Sequence, residues 1–172
     1  MSSLPALDRR LLVLARTRGH GPRRERAVAA YSRLGEHAAC WLALGLIGAT
    51  VDGERRGRWG RGAGVVGSSY AANYAVKLIV RRQRPTLDGL PALSPVVSRL
   101  SFPSAHATTS FAAAWMYRGL VPSAAVYAAA CGFAVSRPYL GVHYPSDVLG
   151  GIVLGTAVAV VGSRAGSEGH PG

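Results

Sequence analysis

Ser136-Arg137-Pro138-Tyr139-Leu140-Gly141-Val142-His143-Tyr144-Pro145-Ser146-Asp147 is the stretch on which the reading of this chain turns. It lies between two apolar runs, 120–135 and 148–163, that would each pass for a membrane span. It carries an arginine, a histidine and an aspartate where apolar residues would be cheapest. Pro145 and Ser146 fit a helix start, so a helix opening near His143 puts Asp147 one turn on, within reach of the imidazole. A carboxylate on one ring nitrogen fixes the tautomer and leaves the other free to attack an electrophile or move a proton, and the Arg137 guanidinium offers a fork for phosphate oxygens. A purely structural turn could hold the same His–Asp pair, so the rest of the chain must decide.

Of the 172 residues 49% are hydrophobic, and the formal net charge of +12 rests on arginine, Lys77 being the single lysine. Apolar runs at 38–51, 62–76, 120–135 and 148–163 approach the roughly 17 to 25 residues that span a bilayer, each needing a few flanking residues. The predicted fold is therefore an all-α, polytopic membrane helical bundle with five spans, six possible, plus an N-terminal amphipathic helix. The spans are expected at 36–51, 62–80, 103–117, 120–135 and 145–161. No cleavable signal peptide is visible in the arginine-studded first 36 residues, so the first span is expected to insert as an anchor. Cys40 and Cys131 lie in apolar runs without metal-ligand spacing and read as buried, inert thiols. Gly151 and Gly155 form a G-x3-G pair, which simple glycine richness also explains.

Three regions follow. Residues 1–35 form a basic amphipathic segment. Within it Leu4, Leu7, Leu11, Leu12, Leu14 and Ala15 share a face, with Asp8, Arg9, Arg10 and Arg16 elsewhere, which predicts a helix lying on the membrane surface. Arginines from Arg18 to Arg33 surround a turn and attract anionic lipid headgroups at about 1 kcal/mol each. Without a reader module, nucleic acid is not an expected partner. Residues 36–163 form the membrane domain, and 164–172 read as a disordered tail. The 81–103 loop, rich in proline and leucine, is long enough to be functional and is expected to cap the site.

Lys77, six residues and then Arg84-Pro85 close one apolar run; Pro103-Ser104-Ala105-His106 open the next; Ser136-Arg137, His143 and Asp147 complete a third motif. In this order the pattern K-x6-RP, PSxH, SR-x5-H-x3-D resembles the type-2 phosphatidic acid phosphatase superfamily of lipid phosphatases and vanadium haloperoxidases, over roughly residues 70 to 160. With five spans all three motifs fall on one membrane face. The family usually has six spans, and the N-terminal segment could stand in for the missing one.

The inventory suits a phosphomonoester. Lys77, Arg84 and Arg137 supply cations for the charge-spread transition state of phosphoryl transfer. The helix start at Ser104 to His106 offers free backbone N–H groups and the Ser104 hydroxyl. Neither a metal nor a cofactor is expected, because no carboxylate cluster could hold magnesium. The resemblance implies that His143 is the nucleophile, giving a phosphohistidine, and that His106 is the general acid that later activates water, with Asp147 orienting His143. Ala105 departs from the family's usual glycine and bears on the geometry of the phosphate site. Retention of every motif residue argues against a non-enzymatic, lipid-binding scaffold, and the apolar spans argue against a soluble haloperoxidase.

The small size, Ala105 and the composition resemble the branch acting on decaprenylphosphoryl-5-phosphoribose in arabinan-precursor synthesis. Undecaprenyl diphosphate, phosphatidylglycerol phosphate and phosphatidic acid remain as alternatives, and the oligomeric state is open. Arginines set the orientation. Eight in the N-terminal segment plus Arg81, Arg82, Arg84, Arg99 and Arg137 lie on the motif side, against Arg55, Arg56, Arg58, Arg61, Arg118 and Arg164 opposite. Positive flanks stay inside, which predicts a multi-pass protein of the inner (plasma) membrane with a cytoplasmic active site.

Overall fold

The computed structural model describes residues 4–165, so nearly all of the tail expected at 164–172 lies outside the described residues. Seven helices follow in order: α1 Leu4–Thr17, α2 Pro22–Leu34, α3 Ala39–Val51, α4 Arg56–Val80, α5 Ala105–Tyr117, α6 Ser123–Tyr139 and α7 Pro145–Arg164. Single 3-10 turns, Glu36–Ala38 and Gly53–Arg55, lead into α3 and α4. Among the described residues there is no named strand, only one isolated bridge between Gln83 and Leu100 in the long loop.

α5 is the axis, packed against α4, α6 and α7. Most of its buried side chains are small, Ala107, Thr108, Thr109, Ser110 and Ala112 to Ala114, which lets neighbouring helices approach closely. The closest approach is by α7, where a Cβ added at Gly155 would lie 2.0 Å from the Thr108 carbonyl oxygen and one at Gly151 2.6 Å from that of Ser104. The glycine pair is therefore a packing device that lets α7 lie against α5, not mere glycine richness. Beyond it, Trp41, Trp59, Val66, Tyr117 and Phe133 fill the main apolar core. The polar groups buried there are paired, Trp41 Nε1 donating to Ser110 Oγ at 2.9 Å and the Tyr117 hydroxyl to the Trp41 carbonyl at 3.1 Å.

α7 is the one described helix long and apolar enough by itself to cross a membrane, and α2 with the following turn and α3, bent by 47°, makes a second such stretch. α4 is 25 residues long, about 37 Å, but carries Arg58, Arg61 and Lys77; α5 and α6, at 13 and 17 residues, are short. Helix length and apolarity thus do not by themselves establish the expected five or six spans.

The N-terminal segment corrects one expectation and adds to another. Residues 22–34, read as arginines around a turn, form α2, anchored where Tyr31 stacks on Phe133 at 4.4 Å and its hydroxyl donates to the Ala129 carbonyl at 2.7 Å. In α1 the polar side chains Asp8 and Arg16 are buried with Leu12, in a stripe of i, i+4, i+8, whereas Leu4, Leu7, Leu11 and Leu14 are exposed. The helix docks by its polar stripe and turns its leucines outward, because Asp8 and Arg16 find partners on the bundle that solvent-facing positions lack. Arg16 donates to the Pro91 carbonyl at 2.8 Å and to that of Tyr139 at 3.3 Å, tying the long loop to the end of α6. The thiols also differ from expectation: both cysteines are free, but Cys131 is exposed on α6, while Cys40 is half-buried and packs against the main core.

Candidate active site

Four chain ends meet at one end of the bundle: the C-termini of α4 and α6 and the N-termini of α5 and α7. They bring all three sequence motifs to one cavity, lined by Lys77, Arg84, Ala105, His106, Arg137 and His143. Gly141, at φ +75°, makes the turn that delivers Val142 and His143 between α6 and α7. The long loop supplies Pro95, Val96, Val97 and Ser98 to the wall, as expected of a cap.

The three cations are held by neutral groups. Lys77 Nζ donates to the carbonyls of Pro103, Leu100 and Ser101 at 3.0, 3.3 and 3.4 Å. Arg84 donates from Nε to Ser98 O at 2.6 Å and from Nη1 to Val142 O at 2.7 Å. Arg137 Nη1 donates to Ser32 Oγ at 2.5 Å, while its buried Nε has no partner. None of the three forms an ion pair with a carboxylate among the described residues. Carbonyls and hydroxyls orient a cation without cancelling its charge, so the cavity keeps a positive field for an anion.

His143 Nε2 lies 3.1 Å from Arg84 Nη1. Arginine can only donate, so this nitrogen presents its lone pair and the ring is neutral. Burial, and then the charges of Arg84, Arg137 and Lys77, hold the imidazole well below its ordinary value of 6.5. Burial also lowers the Arg84 guanidinium, partly offset by Asp147. His106 is held otherwise, with Nε2 donating to the backbone carbonyl of Ser32 in α2 at 2.9 Å, which fixes its tautomer without a carboxylate.

One expectation here takes the form of a loose contact, and one is corrected. Asp147 Oδ2 stands 3.5 Å from His143 Nδ1, and Nδ1 has no hydrogen-bond partner. The reason is that Asp147 is already engaged: Oδ2 accepts from the Tyr144 N–H at 2.9 Å, capping α7, and Oδ1 accepts from Arg82 Nη1 at 2.8 Å. The carboxylate is aligned by its other partners and reaches the ring only as a loose contact. Ser104 is also less available than expected. Its N–H donates to the Asp147 carbonyl at 2.9 Å and so is not free, and its buried hydroxyl has no partner and does not line the cavity.

The sequence reading missed a second layer. Arg82 bridges Asp147 and, through Nη2 at 2.7 Å, Asp8 of α1. Asp8 also accepts from the Ser146 N–H at 2.9 Å and from its hydroxyl, and Arg82 Nη1 donates to Ser146 Oγ at 2.6 Å. Burial alone would raise the Asp8 carboxyl, but these hydrogen bonds outweigh it and hold it below the usual range. α4 ends at Arg81 in the left-handed region, φ 53°, which leaves Arg81 outside and turns Arg82 inward. Within Arg81-Arg82-Gln83-Arg84 no local signal tells which arginine faces in; the buried Asp8 was the available hint, an acid in a basic helix with no cation partner of its own there.

A cluster of three cations, two of them buried, with two histidines at one end of a helical bundle has the charge and the donors that suit a phosphoryl group. The family model described as the PAP2 superfamily matches residues 61–168, and the chain belongs to that superfamily. Among curated relatives, decaprenylphosphoryl-5-phosphoribose phosphatase of Mycobacterium tuberculosis is 41% identical over 141 residues, 80% of this chain and 78% of that protein. The protein of the same name from Mycolicibacterium smegmatis is 42% identical over 123 residues, 71% of this chain and 68% of that one. Among solved structures, Aquifex aeolicus LpxE superposes with a TM-score of 0.81 at 21% identity, covering 92% of this chain and 96% of that one. A transmembrane PAP2-type phosphatidylglycerolphosphate phosphatase from Bacillus subtilis gives 0.78 at 23%, covering 99% and 89%. These two likenesses establish the fold.

Proposed function

We propose that this membrane enzyme, a lipid phosphate phosphatase, removes the 5-phosphate of decaprenylphosphoryl-5-phosphoribose through a phosphohistidine on His143. The observation that carries the chemistry is the set of three cations, Lys77 and Arg137 buried and Arg84 half-buried, none paired with a carboxylate, around a neutral histidine with a presented lone pair. The substrate rests on the name shared by relatives 41% and 42% identical.

In this reading the Arg84 Nη1 donor turns from His143 Nε2 to a phosphate oxygen, and the freed Nε2 lone pair attacks phosphorus while Lys77, Arg84 and Arg137 carry the equatorial oxygens. The P–O bond to the sugar breaks, and His106 protonates the leaving alkoxide; with Nε2 on Ser32 O, Nδ1 is the nitrogen that delivers the proton. His106 then takes a proton from water, which attacks the phosphohistidine and releases inorganic phosphate. Asp147 positions His143, and the N–H groups of Ala105 and His106 at the start of α5 add to anion binding. Among the described residues no group of three or more His, Cys, Asp or Glu could hold a metal ion, and hydrolysis is expected to proceed in excess EDTA.

The chain is placed as a multi-pass protein of the inner membrane, with the leucines of α1 against lipid, the exposed arginines at anionic headgroups and the site facing the cytoplasm, on the arginine balance given above. Phosphate release by purified protein from decaprenylphosphoryl-5-phosphoribose, undecaprenyl diphosphate, phosphatidylglycerol phosphate and phosphatidic acid tests the substrate; the phosphoribosyl lipid should have the largest kcat/KM. Release from none of them would return the chain to the scaffold reading. For orientation, a cysteine at Val97, 86% exposed on the loop, in a variant lacking Cys40 and Cys131 should resist an impermeant maleimide in intact cells. Labelling without permeabilisation would reverse the orientation.

A further inference from the structure

The cavity does not end at the phosphate site. It continues along Glu36, His37 and Tyr70, at the break between α2 and α3. We infer that this wall is a subsite for the hydroxyl groups of a sugar adjoining the scissile phosphate. The inference rests on the phosphatase reading above and extends it to the leaving group.

Glu36 carries the argument. Its carboxylate lines a cavity otherwise furnished with cations and feels the charge of Arg137 through space, yet it forms no ion pair or hydrogen bond among the described residues. A carboxylate only accepts hydrogen bonds and repels a second anion. In a pocket for a phosphorylated lipid it is useful only if the group beside the phosphate brings donors and no further charge. Sugar hydroxyls meet that condition; the second phosphate of a diphosphate, or an acyl ester without hydroxyls, does not. Beside Glu36, His37 Nδ1 lies 2.9 Å from the Tyr70 hydroxyl, a mixed donor and acceptor pair on the same wall.

The backbone here supports a function. His37 (φ 52°, ψ 26°) and Ala38 (φ 61°, ψ 16°) are consecutive non-glycine residues in the left-handed region. Such residues are strained and persist where the surroundings over-determine them, as they do at active sites and ligand clamps. The same turn buries Ala38 in the core and leaves Glu36 and His37 on the cavity.

The test compares kcat/KM of the full chain in detergent for three substrates: decaprenylphosphoryl-5-phosphoribose, phosphatidic acid, whose leaving group has no other hydroxyl, and undecaprenyl diphosphate. Glu36→Gln keeps the shape and removes the charge. The ratio of sugar lipid to phosphatidic acid should fall about tenfold, the scale of weakened hydrogen bonds to a charged group, while the diphosphate gains relative to phosphatidic acid. Tyr70→Phe should lower the first ratio by a smaller factor. Parallel changes that leave both ratios unaltered in both variants would overturn the subsite. A wild-type protein that prefers phosphatidic acid would instead overturn the substrate reading, a result visible before any variant is made.

Discussion

Helices α4 to α7 and the loops between them supply every cation and both histidines at the phosphate cavity, whereas α1 and α2 supply none of these and yet hold three motif residues in place. Ser32 of α2 accepts from His106 through its carbonyl and from Arg137 through its hydroxyl, and Asp8 of α1 reaches Asp147 through Arg82. The region with the motifs carries the chemistry, and the region without them fixes its geometry. Side chains that touch a phosphate must be of particular types at particular spacings. Those that hold them need only present an acceptor at the right point, and a backbone carbonyl will do.

The contrast can be broken or sharpened by substitution. In the motif region, Arg84→Ala removes a cation aimed at the cavity and should lower kcat/KM by about 100- to 1000-fold, with thermal stability changed far less. A loss under tenfold would show that Arg84 is structural. Outside the motifs, Arg82→Gln leaves two buried carboxylates short of a partner. It should lower stability by about 2–4 kcal/mol, seen in the thermal midpoint, and kcat by about tenfold, because Asp147 loses one of its anchors. Asp8→Asn should do less on both counts, since the Arg82–Asp147 pair survives. Wild-type behaviour of both variants would uncouple α1 from the site.

Ser32→Ala separates the backbone bond from the side-chain bonds made by one residue. The carbonyl that holds His106 is backbone and remains, whereas the hydroxyl's contacts with Arg137 and with Ser136 are lost, and KM should rise a few-fold with unchanged sensitivity to the leaving group. Should that sensitivity grow to match His106→Ala, the hydroxyl would be positioning the acid as well. The smallest effect expected is in the pH profile. His143 is held well below 6.5 and stays neutral as the pH falls through 6.5, so its protonation should not produce an acid limb there. The acid limb of kcat/KM should instead move with the second phosphate pKa of the substrate; a limb fixed near 6.5 for all substrates would contradict the neutral, cation-flanked ring.

Much of this was legible in the sequence, for a physical reason. A lysine, arginine or histidine inside an apolar run is expensive unless it has work to do, so Lys77, Arg84, His106, Arg137 and His143 stood out, and proline-marked helix starts located α5 and α7. The amphipathic period bounded α1 correctly as Leu4–Thr17. Leu4, Leu7, Leu11 and Leu14 turn away from the bundle, as that period implies, but periodicity shows which residues share a face and not that Asp8, Leu12 and Arg16 would meet the bundle. α2 escaped notice because its arginines mask an anchoring face of few residues, chiefly Tyr31 and Ser32. The Asp8–Arg82–Asp147 bridge was out of reach, since its members are 74 and 65 positions apart and nothing local marks them as partners. For Gly151 and Gly155 the spacing was seen, but only the 2.0 Å approach of the Thr108 carbonyl shows what it is for.

The central claim is that His143 takes the phosphoryl group and His106 moves the protons. The direct measurement is acid-stable against acid-labile labelling of protein mixed with p-nitrophenyl phosphate carrying labelled phosphorus, quenched on the millisecond scale and mapped by peptide. With this good leaving group His106→Ala should still be phosphorylated but release phosphate slowly, accumulating an acid-labile phosphohistidine at position 143, while His143→Ala shows none. Label at residue 106, or turnover by His143→Ala, would contradict the account.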